Sequence, residues 1–435
     1  MDSRNGERGR RYVPQRILSS VTDFRSCHSL AADLDTIASS VAYSWLETVV
    51  HKRQTVALIR FDHADLTLRN ENIHALSLAG LSSDAHELLY INELPESKTF
   101  PSNKFALVDH NSIGPSFVTG NPSAQVIAVI DHHEDEGLYK DTANPRIVVP
   151  AGSCSSLIAH LCPPEMPAEL ATLLLCAGLI DTGGLKEGGK AVQVDRDAAA
   201  LLVPLSTISS EVPHTLSASN ELQNAPAIQD LAAELEAMKD NISNLSVRDL
   251  LRRDYKEYTY KLPWVDPRIS ITAGLSTVPL GLDAWITDGR LESQVQPWME
   301  SRGTAVHGIL TSYRDTHKAG KSGKGKHRRE QVWIVREGAE TTVGDAATGD
   351  QGPPATLDLE TLAQRLFTGL EASQELELKK NKDFDIDKKG KLPAGFKARV
   401  YDQKNTDASR KVTAPTLEKI LSSSGPLPDV VTVNT

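Results

Sequence analysis

Short β-branched and aliphatic runs alternate with helix-like stretches between residues 55 and 200, and TVALIRFD, HELLYINEL, FALVDHN, QVIAVIDHH and RIVVP read as strands. The alternation predicts an α/β domain with a mostly parallel sheet and helices on both faces, in which sites lie beyond the carboxyl ends of the strands. Polar residues fall where that rule places them. Asp109 closes one apolar run, Asp131 to His133 close another, and Asp181 follows LATLLLCAGLI, a run compatible with helix or strand. Upstream, SVTDFRSCHS reads as a poor buried strand because Asp23 and Arg25 interrupt its apolar pattern. Asp35 and Thr36 could cap the helix TIASSVAYSWLE.

A charged, helix-like stretch at 216–253 reads as a linker between a first domain at 15–215 and a second at 254–435. The second region holds strand-like RISITAGLSTV, TAVHGILTSY and EQVWIVRE, then the helical LETLAQRLFTGLEAS, which predicts a smaller α+β domain. HKAGKSGKGKHRR and GDAATGDQGPPAT, poor in apolar residues, read as flexible insertions near 315–330 and 340–356.

Composition narrows the class. With 435 residues, two domains are expected, and 40% hydrophobic against 24% charged residues excludes wholesale disorder. No apolar run approaches the roughly 20 residues of a membrane helix, so a cytoplasmic protein without membrane partners is expected. Cys27, Cys154, Cys162 and Cys176 form no CxxC pair, which argues for reduced, mostly buried thiols. A net charge of −10 argues against nucleic acid as a general partner. Charge is nevertheless segregated: acidic motifs dominate the first half, while Lys and Arg cluster at 252–261, 318–329, 379–391 and 397–411.

Four motifs follow in order: DLD (Asp33, Asp35), DHN (Asp109, His110, Asn111), DHH (Asp131, His132, His133) and DT (Asp181, Thr182). Singly, each is ordinary turn or cap chemistry. Together, carboxylates converging at strand ends cannot all stay ionised without cations between them. Oxygen ligands with a minority of imidazoles suit Mn²⁺ or Mg²⁺ better than a structural zinc. Two such ions about 3.5–4 Å apart would activate water and clamp a phosphoryl oxygen. That is phosphoester or phosphoanhydride hydrolysis.

These motifs in this order resemble the DHH phosphoesterase superfamily, and the DHN form resembles its exopolyphosphatase and prune branch. GSCSS at 152–156, DTGGLK through VDRDAAALL at 181–202, LLRRDYKEYT at 250–259 and ASRK at 408–411 also look like this branch. The resemblance implies a metal-binding N-terminal domain and a substrate-binding C-terminal domain with the active site in the cleft between them. It implies that Asp33 and Asp109 hold one cation, and that Asp35, Asp109, His132 and Asp181 hold the other. His133 would face the substrate phosphate, Asp131 would orient the imidazoles, and His110 and Asn111 would approach the outgoing phosphates or brace the loop. Lys256, Arg410 and Lys411 would bind phosphate oxygens, and the polar turn at Gly152, Ser153, Ser155 and Ser156 would offer backbone N–H groups to an anion. Where the superfamily carries His or, in this branch, Asn, this chain has Ser29 beside His28, a poorer ligand for the first cation. The implied function is a metal-dependent exopolyphosphatase acting on inorganic polyphosphate. Alternatives are a prune-like short-chain polyphosphatase or nucleotide phosphodiesterase, an inorganic pyrophosphatase, and a polyphosphate or protein binder whose catalysis has decayed.

Overall fold

The computed structural model describes residues 25–28, 33–94, 100–212, 221–286, 289–315, 325–338, 342–343, 357–384, 386 and 391–425. Two compact units divide the chain, Met1–Ile242 and Ser243–Thr435.

In the first unit β1 (Arg25–His28), α1 (Leu34–Trp45), β2 (Thr55–Ile59), α2 (Asn70–Leu78), β3 (Leu89–Tyr90) and β4 (Lys104–Val108) come first. They are followed by α3 (Pro115–Val118), β5 (Gln125–Asp131), β6 (Arg146–Val148), α4 (Cys154–Leu161), α5 (Ala168–Thr182), α6 (Gln193–Leu202) and α7 (Pro226–Asp240). All six strands pair in parallel, in the order β3-β2-β1-β4-β5-β6. The chain runs outward from β1 to β3 and then returns to β4 on the other side. The order therefore reverses between β1 and β4, and sheets of this kind open their crevice at that point.

Parallel strands buried on both faces explain the near-continuous apolar runs. Ala57, Ile59, Ala106, Val108, Ala128 and Ile130 join the core cluster formed with α1, α2 and α4 to α7, while Leu58, Phe105, Leu107 and Val129 face the other way. That second face is covered by short α3, through Phe117, and by the segments around Phe100 and Tyr139. Helices thus lie on both faces, but unequally. The segment that read as a poor strand forms β1, with Arg25 in register with Thr55 on one side and Lys104 on the other. Backbone ladders on both edges outweigh the weak local propensity. HELLYINEL contributes only Leu89–Tyr90 as strand, and LATLLLCAGLI is helix.

Division at Ile242 falls inside the stretch read as a linker, because α7 buries Ile228, Leu231 and Leu235 in the first core. The second unit begins with α8 (Val247–Arg253), started by a reciprocal cap in which Ser246 Oγ accepts from Asp249 N–H and Asp249 accepts from Ser246 N–H. Then follow β7 (Tyr255–Lys261), β8 (Ile269–Val278), α9 (Arg290–Ser301), β9 (Val306–Thr311), β10 (Tyr313–Asp315) and β11 (Lys326–Arg336). The unit ends with β12 (Thr342–Val343), α10 (Leu359–Ala372), β13 (Leu378–Lys380), β14 (Phe396–Gln403) and α11 (Arg410–Ser422). Its sheet runs β12-β8-β9-β11-β14-β13, with β7 on β8 and β10 on β11. Trp333, Tyr401 and Leu275 pack against Leu366, Leu370, Leu417 and Leu421 of α10 and α11. Gly369 permits this approach: a Cβ there would lie 2.6 Å from Ile420. Lys326–Arg329, placed by composition in a flexible insertion, instead begin β11.

Candidate metal centre

The first motif is built by the start of α1. Asp33 caps the helix, its carboxylate accepting the Thr36 N–H at 3.1 Å, so the cap is Asp33 rather than Asp35. Asp35 in the first turn is driven inward and is 2% exposed. It accepts the N–H groups of Cys154 at 2.7 Å and Ser155 at 2.6 Å, at the start of α4. The anion at that helix N-terminus is therefore the protein's own carboxylate, which corrects the reading of the Gly152 to Ser156 turn as a seat for substrate. Ser153 is fully buried, its hydroxyl within 2.7 Å of Ser155 Oγ and engaged with Asp181.

Asp109 stands directly after β4 at φ 62°, a left-handed conformation that non-glycine residues adopt at a cost. Its N–H donates to Ile130 O at 2.9 Å, which ties the ends of β4 and β5 together. One carboxylate oxygen, Oδ2, accepts from the Thr36 hydroxyl at 2.6 Å. The other, Oδ1, is buried and accepts no well-directed hydrogen bond among the described residues, with His132 Nε2 at 3.1 Å and His133 Nδ1 at 3.8 Å. His132 Nδ1 donates to Ala151 O at 3.0 Å, which turns Nε2 toward Asp109 and, at 3.9 Å, Asp35. A metal-ligating imidazole is oriented in this way, one nitrogen on a carbonyl and the other on the ion.

Behind the imidazoles lies Asp131, fully buried. It accepts from the N–H of His132 and His133 and from His133 Nδ1 at 2.8 Å, and Asn111 Nδ2 donates to its other oxygen at 2.5 Å. Burial opposes ionisation of Asp131, but these donors hold it below the usual carboxylate range. The His133 side chain is half exposed and is raised by its bond to Asp131. His110 is buried with Nδ1 donating to Val108 O at 2.9 Å, and burial lowers it to about 4, so it stands neutral beside the site.

Negative charge at the centre is only partly compensated among the described residues, by His132 and, at Asp181, by Lys239. Burial, then the charges of Asp109, Asp181 and Asp33, lift Asp35 well above the carboxylate range. Burial and Asp33 lift Asp109 as well, and burial followed by Asp33 takes Asp181, in the last turn of α5, to about 7. Burial would depress His132, yet contact with Asp109 and the charge of Asp35 raise it to about 9. One ligand atom each from Asp109, His132 and His133 lies within 4.8 Å of the others. An open buried oxygen, an imidazole preset by a carbonyl and carboxylates raised by their neighbours together suit hard divalent cations.

A pH consequence follows for the metal-free protein. Asp181 binds its proton more tightly folded (about 7) than unfolded, so its contribution to stability falls as pH rises from about 4 to 7. His132 contributes fully below about 6.5 and is lost as pH rises through about 9. The melting temperature in chelator is expected to fall from pH 6 to 9, and the gain on adding Mn²⁺ to grow over the same range as the cation replaces protons. A Mn²⁺ gain independent of pH would contradict this.

Asp195 lies in the VDRDAAALL stretch noted above, where the sequence reading gave it no role. It is 2% exposed and accepts N–H groups from Gly152 at 2.8 Å, Ser153 at 3.3 Å and Val192 at 2.8 Å. It thereby fixes the turn that delivers α4 to Asp35. A Cβ at Gly152 would lie 2.6 Å from Thr182 and 2.7 Å from Asp195, so only glycine fits. In the second unit Arg410, at the start of α11, donates to Asp254 Oδ1 at 2.7 Å and to Asp254 O. Lys411 follows it, and Lys256 lies exposed on β7. Ser29, and the side chain of His28, lie outside the described residues.

Residues 27–178 match the family model described as "DHH family, N-terminal domain", and residues 233–420 match the "DHHA2 domain". The chain is similar to a Schizosaccharomyces pombe protein named "Putative exopolyphosphatase", 30% identical over 310 residues that make up 66% of this chain and 72% of that one. It is 21% identical over 296 residues to Rattus norvegicus "Exopolyphosphatase PRUNE1", covering 66% of this chain and 59% of that one. A Streptococcus equi subsp. equi "Probable manganese-dependent inorganic pyrophosphatase" is 27% identical over 184 residues, 41% of this chain and 54% of that one. Among solved structures, one titled "Crystal structure of Methanococcus jannaschii putative family II inorganic pyrophosphatase" gives a TM-score of 0.46 at 17% identity, over 92% of this chain and 99% of that one.

Proposed function

The chain belongs to the DHH phosphoesterase superfamily, in its exopolyphosphatase and prune branch, and from that membership we propose that it is a metal-dependent hydrolase that releases orthophosphate from the ends of inorganic polyphosphate. The observation that carries this reading is the open Asp109 Oδ1, set among Asp33, Asp35, Asp181 and His132 at the point where the strand order reverses. Asp33 and Asp109 would hold one divalent cation, and Asp35, Asp109, His132 and Asp181 the other. Mn²⁺ is favoured by the name of the streptococcal relative, with Mg²⁺ as the second candidate. When bound, such cations neutralise phosphoryl oxygens and lower the pKa of water.

The chain's own residues do the rest. Asp131 fixes His133 through Nδ1, leaving its exposed edge to donate a proton to a phosphate oxygen. His132 and Asp109 keep their orientation because Ala151 O and Thr36 hold them from behind. Buried, neutral His110 braces the turn after β4. Lys256, Arg410 and Lys411 of the second unit would bind phosphate oxygens, Arg410 in exchange for its bond to Asp254. Replacing Arg410 or Lys411 by Ala is expected to lower kcat/KM for polyphosphate roughly 10- to 150-fold, the worth of one charge-assisted contact, and to leave the Mn²⁺ concentration for half-maximal activity unchanged. Unchanged turnover in both variants would remove them from the substrate's path.

Incubation with Mn²⁺ or Mg²⁺ and pyrophosphate, tripolyphosphate, long-chain polyphosphate or cyclic nucleotide tests the assignment. Orthophosphate from long chains supports the proposal, and product from pyrophosphate alone reassigns the chain as a pyrophosphatase. Cleavage of cyclic nucleotide would favour the prune-like phosphodiesterase reading. Binding of polyphosphate without product would identify a decayed enzyme, which the retained Asp33, Asp35, Asp109, His132 and Asp181 argue against.

A further inference from the structure

We propose that Arg60 is a further substrate-binding residue of the hydrolytic centre, its guanidinium receiving a phosphate group at the carboxyl end of the first unit's sheet. The inference rests on the polyphosphate reading above and adds to it a cation that the first unit itself supplies.

Arg60 directly follows β2, and its Cζ lies 4.7 Å from the ring centroid of Phe117 in α3. Gly114, the residue before α3, brings the backbone close to the same group: a Cβ there would stand 3.2 Å from Arg60 Nη2. Gly114 and Phe117 belong to the segment that leaves β4 through Asp109, His110 and Asn111. In the sheet β1 lies between β2 and β4. The Arg60 side chain therefore passes across the carboxyl end of β1, at the point where the strand order reverses and Asp109 faces His132. His110, lowered first by burial, is lowered further by the charge of Arg60.

What this guanidinium lacks is an anion. Nη1 is enclosed without a hydrogen-bond partner, and burial, with no acid opposing it, holds the group below its ordinary value. The other partly buried arginines described in the first unit each have an oxygen partner. Arg69 lies 3.6 Å from Glu71, Arg146 Nη1 donates to Asp135 at 3.1 Å and Arg196 Nη1 donates to Leu185 O at 2.6 Å. Withdrawing an unpaired charge from water costs stability, and an arriving anion relieves that cost. The planar fork of a guanidinium matches phosphate oxygens, and stacking on Phe117 orients it for them. Cations held around Asp109 would draw phosphoryl oxygens into the same crevice, which makes phosphate the anion.

The test uses full-length protein with Mn²⁺ and compares Arg60→Met, which keeps an apolar stem of similar length, with wild type. The variant is expected to raise KM for tripolyphosphate, Ki for orthophosphate, or both, by roughly 10- to 100-fold. A rise in KM alone puts the contact on a phosphate that stays with the chain, and a rise in both puts it on the phosphate released. The Mn²⁺ concentration for half-maximal activity should not change, and the melting temperature of the metal-free variant should equal or exceed that of wild type, since an unpaired charge has been removed. Arg60→Lys, which keeps the charge but not the fork, should fall between the two in KM and Ki. Unchanged KM and Ki, or a higher Mn²⁺ requirement that accounts for the loss, would overturn the proposal. Should Arg60→Met not fold, Arg60→Lys decides by the same constants, and no change in either counts against it. If the wild type hydrolyses no polyphosphate, the functional reading fails separately. Protection from heat by orthophosphate with Mg²⁺ then decides Arg60, equal protection of wild type and Arg60→Met counting against it.

Discussion

Asp109→Ala protein is expected to fold and bind substrate but to lose turnover by more than the roughly 10- to 100-fold that removal of an outer partner of a metal ligand costs. Asp109 takes part in both proposed cation sites, and the carboxylate that removal deletes is the one whose Oδ1 stands open in the buried centre. Its loss would leave the cations with less charge between them and would free His132 Nε2 and the Thr36 hydroxyl from their present neighbour. Asp109→Asn is the better control for structure, because asparagine tolerates the φ of 62° as aspartate does and retains an acceptor for Thr36. Near-normal turnover by either variant at saturating Mn²⁺ would place the chemistry elsewhere. Circular dichroism and melting temperature separate loss of chemistry from loss of fold.

Asp195→Ala is expected to be severe for a different reason. The carboxylate touches neither proposed cation, yet it accepts three backbone N–H groups, from Gly152, Ser153 and Val192, at a position 2% exposed. Truncation leaves buried donors unsatisfied, at about 1–3 kcal/mol for each donor that water cannot reach. A melting temperature several degrees lower is therefore expected. The same turn sets where Cys154 and Ser155 present their N–H groups to Asp35, so the Mn²⁺ concentration for half-maximal activity should rise as well. Asp195→Asn, which keeps an acceptor but loses the charge, should fall between wild type and Asp195→Ala in both measurements. A stable Asp195→Ala protein with unchanged Mn²⁺ requirement would show that the turn holds without it.

How much of this was legible in the sequence depended on whether the signal was local. An apolar run that ends in Asp carries its own reading, and so Asp109 and Asp131 could be placed at strand ends before any coordinates. The ordered set of four motifs identified the family, and its residues lie close enough in the first unit that Asp35, Asp109, Asp181 and His132 are shifted by charges within the set. What was illegible depended on distant partners. Strand β1 owes its place to ladders with β2 and β4 on both sides, which Arg25 does not advertise. Asp195 acts on Gly152, remote in sequence, through backbone bonds that no spacing rule encodes. The GSCSS turn reads as an anion seat from its own residues, and only the fold shows Asp35 already sitting there. Likewise α7 looks like a charged linker until its three apolar residues meet the first core.

The central claim is that divalent cations held around Asp109 enable phosphoanhydride hydrolysis by this chain. Chelator-treated protein titrated with Mn²⁺ while orthophosphate release from tripolyphosphate is followed tests it most directly. The account predicts no release before metal is added, release that rises with Mn²⁺ occupancy, and a flat trace for Asp109→Ala over the same titration. Release by the chelated wild type, or equal titration curves for wild type and Asp109→Ala, would contradict it.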